Sequence, residues 1–342
     1  MSDRSPPAAP REVVCVLGNG GWGTALALVA LANGHETRLF GVERDYVAET
    51  AVTRRNPRYL PGVELPPSLR LTSDPHTAAE RAALLVSAVP TQYLRSTMTT
   101  LAPHLPAGVP VVSVSKGMEN TTLRRPSEIL AETTGPRPVA VLCGPSHAEE
   151  VARGGPTSVV VASADAALCA TVQRVFGNER LRIYASDDVI GVELAAAVKN
   201  VIAIAAGVCD GLGLGDNAKA ALITRGNAEI TRLGRAMGAH AGTFAGLAGI
   251  GDLITTCTSR HGRNRAVGER LGRGEKIEAI LGSMVQVAEG VRTAESIVQI
   301  ARRVGIEMPI SEQVHRMLFG GQRPADALRE LMTRTQRPER DV

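Results

Sequence analysis

The chain has 342 residues, of which 44% are hydrophobic, enough for two domains with separate cores and too apolar for disorder throughout. Its 38 basic and 34 acidic residues leave a net charge of +4, and aromatics make up only 3%, so nucleic-acid binding by base stacking is poorly supplied while a small anionic substrate is allowed. The five cysteines are odd in number, scattered and set mostly in apolar runs, which reads as free thiols rather than a zinc site or a disulfide framework.

Residues 1–11 have no apolar segment of signal-peptide length and are expected to form a disordered leader. Uninterrupted apolar runs elsewhere fall short of the roughly 18 residues that a membrane span needs, so a cytoplasmic protein with no membrane insertion is expected. From residue 13 onward, short β-branched runs alternate with helical stretches: "VVCVLG" (13–18) as strand, "WGTALALVALANG" (22–34) as helix and "ETRLF" (36–40) as strand. The rhythm continues through runs at 83–90, 109–117, 138–146 and 156–163, which predicts a parallel sheet with helices on both faces over residues 12–190. After "RIYASDDVIG" (182–191) strand-like runs cease, and residues 191–342 read as an all-helical second domain.

The first chemical motif is "LGNGGWGTALA" (17–27), where Gly18, Gly20 and Gly23 fit G-x-G-x-x-G between a strand and a helix. The first glycine permits a tight turn, the second lets a pyrophosphate reach the backbone, and the third packs helix on strand. Glu43 follows Gly23 by twenty residues, just past the second strand, where an acid receives the adenosine ribose hydroxyls. An adenine dinucleotide is therefore the expected cofactor.

Lys116, in "SVSKGME" (113–119), ends a strand and either reaches the ligand crevice or is a solvated loop lysine. "LCGPSHAEEVARG" (142–154) leaves another strand through Gly144 and Ser146, with Ser146 a candidate helix cap. "VELAAAVKNVIAIAAG" (192–207) places Lys199 in an apolar helix. Burial there would lower its pKa and suit it to general-base chemistry; the alternative is a lysine reaching out from the helix edge toward Glu193 or Asn200. Finally, "LAGIGDLITTCTSRHGRNRAVG" (247–268) carries Asp252 and then Arg263-Asn264, a guanidinium fork and an amide suited to a phosphate.

The succession GNGGWGTALA, YLPG, SKG, CGPSHAEEV, AAAVKNVIAIAAG, GIGDLITTC, HGRN and VAEG, spanning about residues 13–310, resembles the bacterial-type NAD(P)-dependent glycerol-3-phosphate dehydrogenases. The resemblance implies a Rossmann-type α/β domain joined to an all-α domain like that of 6-phosphogluconate dehydrogenase. It also implies interconversion of dihydroxyacetone phosphate and sn-glycerol 3-phosphate for phospholipid synthesis, with loosely bound NAD or NADP and no metal. Lys199 then matches the catalytic lysine, and Lys116 a second lysine touching substrate and cofactor. Gly144, Ser146, Asp252, Arg263 and Asn264 match substrate-binding positions, and Gly21, Trp22, Ala148, Arg263, Val287 and Glu289 cofactor-binding ones.

The chain departs from the family pattern in three places. Gly262 stands where serine is frequent and offers a phosphate only its backbone N–H. Val42 stands where arginine is frequent, and with Glu43 beside it the pocket leans to NAD, unless Arg44 swings in to favour NADP. Asn19 and Gly21 replace alanine and serine in the glycine loop. Two other readings remain at this point: a β-hydroxyacid dehydrogenase, which needs a carboxylate site instead of the HGRN loop, and a nucleotide-binding sensor or methyltransferase-like module without a catalytic lysine. Apolar faces in the helical domain make a homodimer an expected partner arrangement.

Overall fold

The computed structural model describes residues 11–284, 287–336 and 338–339. The leader expected over 1–11 thus lies, Arg11 apart, outside the described residues. The chain opens with β1 (Val13–Leu17), whose residues from Val14 on are buried, followed by α1 (Gly21–Ala32) and β2 (Glu36–Phe40). Next come α2 (Arg44–Thr53), a small hairpin of β3 (Arg55–Asn56) and β4 (Leu60–Glu64), and β5 (Arg70–Thr72). Then follow α3 (Pro75–Ala79), β6 (Leu84–Ser87), α4 (Thr91–Leu101), β7 (Val111–Ser113), α5 (Pro126–Thr133) and β8 (Val139–Cys143). The α/β part ends with α6 (Ala148–Ala152), β9 (Thr157–Ala162), α7 (Ala166–Phe176) and β10 (Leu181–Ser186).

The main sheet has the order β10-β9-β8-β7-β6-β1-β2-β5. Chain direction of travel across it reverses between β1 and β6, which is where an open α/β sheet leaves a ligand crevice. Every pairing is parallel except β8 with β9. The expectation of a uniformly parallel sheet therefore needs correction at one junction. The segment between Cys143 and Thr157 holds only the short helix α6, which packs on α1 instead of crossing the sheet, so β9 starts at the end where β8 stopped.

Beyond Ser186 no strand occurs among the described residues. The helices are α8 (Val189–Gly211), α9 (Gly215–Ala236), α10 (Ala241–Phe244), α11 (Asp252–Thr258), α12 (Arg263–Gly272), α13 (Ile277–Gly282), α14 (Glu289–Val304), α15 (Pro309–Phe319) and α16 (Pro324–Met332). A π-helical turn, Leu247–Gly251, precedes α11. α8 is the axis around which the others pack. Its length and composition would allow it to cross a membrane, yet 89% of its apolar window is buried inside the protein, as befits a core helix. Glycines set how closely α12 approaches it: a Cβ on Gly268 would fall 1.9 Å from the Ile204 carbonyl oxygen, and one on Gly207 1.9 Å from that of Arg265.

The sheet and the helices share a small apolar cluster of Val141, Cys143, Ala162, Val192, Ala196 and Ala248. Glu193, one turn into α8, is buried beside it and is held by Arg125 Nη1 at 2.8 Å and by the backbone N–H and hydroxyl of Ser127, both at 2.7 Å. This clasp and cluster fix the start of α8 against β8 and α5. As a result Lys199, further along α8, faces the carboxyl ends of the strands.

Candidate active site

The glycine loop has the form its spacing predicts. Gly18 has φ +120°, and a Cβ there would lie 2.7 Å from the Ala88 carbonyl oxygen; one on Gly23 would lie 2.1 Å from the Gly18 oxygen. At Gly20, the N-cap of α1, a Cβ would meet nothing within 4 Å. Two glycines are thus filled in by the fold, and the middle one leaves an open approach to the helix N-terminus, the arrangement that accepts a pyrophosphate. Trp22 Nε1 and Asn19 Nδ2, both in this loop, are buried without a hydrogen-bond partner among the described residues. Ala148, at the start of α6, lies 3.5 Å from where a Gly21 Cβ would be, so α6 walls the same loop. Glu43 stands at the end of β2 as the N-cap residue of α2, half exposed, with its carboxylate on Arg58 at 2.6 Å.

Lys116 and Lys199 converge on one buried carboxylate. Lys116 Nζ is 3.0 Å from Asp252 Oδ2 and donates to the Gly144 carbonyl at 3.0 Å; Lys199 Nζ is 2.6 Å from Asp252 Oδ1 and 2.6 Å from Thr256 Oγ1. The lysine in the apolar helix is therefore not reaching outward. Asp252 opens α11 and Thr256 follows one turn later, so both oxygens point to the same side.

The two ammonium groups differ in character. For Lys199, burial outweighs the attraction of Asp252, the second cation Lys116 adds to it, and the pKa falls to about 8. For Lys116, burial also disfavours the charge, but Asp252, Cys143 and Glu289 together overcome it and hold the ammonium above the ordinary lysine value. Burial would raise Asp252; Lys116 and Lys199 overturn that and keep it ionised, below the usual aspartate range. A 2.6 Å contact to a carboxylate and a lowered lysine pKa pull opposite ways, and the lowering prevails because burial weighs most against the ammonium and Lys116, sharing the same anion, adds to it.

Ser146 does not cap α6: its hydroxyl donates to Gly144 O at 2.9 Å, and His147 is the N-cap residue. Arg263 is exposed at the start of α12, with Nη1 donating to Val287 O at 2.9 Å, and Glu289, half-buried at the start of α14, accepts the Thr91 N–H at 3.0 Å. Asn264 differs from the free amide expected for a phosphate. Its Nδ2 donates to Asn200 Oδ1 and its Oδ1 accepts from Gly290 N, each at 3.0 Å, because α8, α12 and α14 meet there. At Gly262 a Cβ would lie 3.0 Å from the Thr256 carbonyl, so the glycine suits a tighter loop than serine would.

Two participants, Thr256 and His147, escaped the sequence reading, and a third, Asn200, was read only as a contact for Lys199. Thr256 was visible only as one of several hydroxyls in "LITTCTS", and its spacing of four from Asp252 was the available signal. Asn200 donates to the Lys116 carbonyl at 3.1 Å, joining the two lysine-bearing segments. His147 carries a buried Nε2 without a partner among the described residues, and its ring lies 6.1 Å from that of His261, placing imidazoles from the α/β and helical parts across the cleft from each other. Among the described residues no group of three or more His, Cys, Asp or Glu is disposed to hold a metal ion.

Comparison with known proteins bears on this geometry. Residues 13–169 match the family model described as NAD-dependent glycerol-3-phosphate dehydrogenase N-terminus, and residues 188–329 the one described as its C-terminus. A Salinibacter ruber protein named glycerol-3-phosphate dehydrogenase, with NAD(P)+ in its name, is 50% identical over 329 residues, covering 95% of this chain and 96% of that protein. The like-named protein of Geobacillus kaustophilus is 48% identical over 333 residues, covering 96% and 97%. The crystal structure of glycerol-3-phosphate dehydrogenase from Coxiella burnetii is similar with a TM-score of 0.91 at 38% identity, covering 95% of this chain and 99% of that one.

Proposed function

The chain belongs to the NAD-dependent glycerol-3-phosphate dehydrogenase family, and from that premise we propose how its residues carry the reaction. It is an NAD(P)-dependent oxidoreductase that interconverts dihydroxyacetone phosphate and sn-glycerol 3-phosphate. The observation that carries the mechanism is Lys199, buried in an apolar helix with its Nζ between Asp252 and Thr256.

A bound nicotinamide would supply or accept the hydride. Residues of this chain handle the proton. In the reducing direction the Lys199 ammonium donates to the carbonyl oxygen that becomes the hydroxyl; in the oxidising direction the neutral amine takes that proton back. With a pKa of about 8, both forms are populated near neutral pH. Asp252 keeps the amine aimed, and Lys116, charged throughout, adds positive potential where the oxygen gains negative charge.

Phosphate recognition falls to Arg263 at the start of α12, joined by the Gly262 N–H once it leaves the Ser259 carbonyl, to which it donates at 3.2 Å, with Asn264 locking that start in place through Asn200 and Gly290. Lys116, Gly144 and Ser146 line the opposite wall. Binding the phosphate at a distance from the reacting carbon positions that carbon. Gly18, Gly20, Gly21, Trp22 and Gly23 would hold the dinucleotide phosphates and Glu43 the ribose, with Ala148, Val287 and Glu289 as further residues toward the cofactor. We further propose an exchangeable cofactor, a metal-free site, a division of the chain near residue 190, a cytoplasmic homodimer, and product use in glycerophospholipid synthesis. The test is loss of reduced-nicotinamide absorbance with dihydroxyacetone phosphate and NADH or NADPH. Turnover by the wild type and its absence in Lys199→Ala are expected; no turnover with either cofactor would overturn the assignment.

A further inference from the structure

The acid at the ribose end of the cleft does not stand alone. Glu43 Oε2 accepts from Arg58 Nη1 at 2.6 Å and its Oε1 accepts from the Tyr59 hydroxyl at 3.3 Å. Both partners come from the turn between β3 and β4, outside the main sheet. That turn is wired to the glycine loop. Asn56 Nδ2 donates to the Asn19 carbonyl at 2.8 Å and to Thr24 Oγ1 at 3.0 Å. The Tyr46 hydroxyl donates to Asn56 Oδ1 at 2.6 Å and accepts from Arg58 N at 3.1 Å. The Tyr59 carbonyl oxygen lies 2.6 Å from where a Cβ on Gly21 would fall.

The Arg58 guanidinium itself lies 4.2 Å above the Tyr46 ring centre, a face that fixes a cation without using its N–H groups. Arg44, next to Glu43 in sequence, is exposed, and its side chain has no hydrogen bond or ion pair among the described residues. Of the two arginines near the acid, Arg58 is the one held in place.

We infer that Arg58 is the residue that admits the phosphorylated dinucleotide, so that this ribose pocket serves both NAD and NADP. The inference rests on the assignment of Glu43 to the adenosine ribose made above. A lone carboxylate accepts ribose hydroxyls and repels a 2′-phosphate. Here the carboxylate is already neutralised by a guanidinium, and its rotation away exposes a planar fork that takes a phosphate through two parallel N–H bonds. With the unphosphorylated cofactor the pair stays closed, and Glu43 accepts a hydroxyl with its remaining lone pairs.

The test is calorimetric titration of the full-length protein with 2′,5′-ADP and with 5′-ADP, alongside the NADPH-to-NADH ratio of kcat/KM with dihydroxyacetone phosphate. Arg58→Ala should weaken 2′,5′-ADP by about tenfold, the scale of one charge-assisted contact, and leave 5′-ADP within about twofold. Glu43→Gln should move the ratio the other way, and Arg44→Ala should move neither ligand. Should Arg58→Ala fail to fold, Arg58→Lys must lower the ratio in the same direction, since an ammonium cannot form the fork. Unchanged 2′,5′-ADP binding in a folded Arg58 variant, a wild type that binds only 5′-ADP, or the loss appearing in Arg44→Ala would each overturn the inference. Inactivity with both cofactors would instead strike the assigned reaction, because the titrations need no turnover.

Discussion

At the scale of single residues, the chemistry turns on one carboxylate shared by two lysines. Lys199 titrates near 8 because burial and Lys116 oppose its charge more than Asp252 supports it. The sign follows directly: oxidation of glycerol 3-phosphate needs the neutral amine, so its kcat/KM rises with pH and levels above about 8, whereas reduction needs the ammonium and falls through the same range. Asp252→Asn removes the group that favours the ammonium, so the limb of a pH profile should move to lower pH as the rate drops. The same limb shifting upward would contradict this reading of the pair. The sequence marked Lys199, Lys116 and Asp252 separately, each by its oddity in its own segment. Only the family resemblance put them in one site, because they sit on a strand end and two helices far apart in the chain, and periodicity within a segment carries no information on which segments meet.

At the scale of elements, glycines decide how closely backbones approach. Gly268 lets α12 lie against α8 with its Cα facing the Ile204 carbonyl, and a methyl there has only backbone to push against. Gly268→Ala should therefore lower stability by about 3 kcal/mol, at the upper end of overpacking costs, read as a fall in the urea midpoint. Gly20→Ala faces open space instead; it should keep its melting temperature and lose dinucleotide affinity, measured by titration with NADH. Equal loss of stability in both would mean that the middle glycine is structural after all. Strands such as Glu36–Phe40, buried from Thr37 on, were legible as short runs alternating with helical stretches, and α1 from the glycine motif that opens it. Two features were not. The reversal of β9 depends on where α6 packs, and the β3–β4 hairpin is too short and too interrupted by Pro57 and Pro61 to register as strands.

At the scale of the whole molecule, catalysis depends on holding a helical array against the open end of a sheet. The Glu193 carboxylate is almost fully buried, and Arg125 with Ser127 supplies its partners across that junction. Arg125→Ala leaves the buried carboxylate short of its counter-charge and should cost about 3 kcal/mol, detectable as an earlier unfolding midpoint with kcat little changed at temperatures where the protein stays folded. The two-part organisation was readable from the abrupt end of strand-like runs near residue 190, because composition reports burial type; the clasp was not, because a glutamate in an apolar helix looks the same whether it is paired or solvated. The most direct measurement is the pH dependence of glycerol 3-phosphate oxidation by the wild type and by Lys199→Ala. The wild type should show a rising limb with an ionisation near 8, and the variant a residual rate reduced by about a thousandfold or more with that limb gone. A variant that keeps both the rate and the limb would show that another group moves the proton.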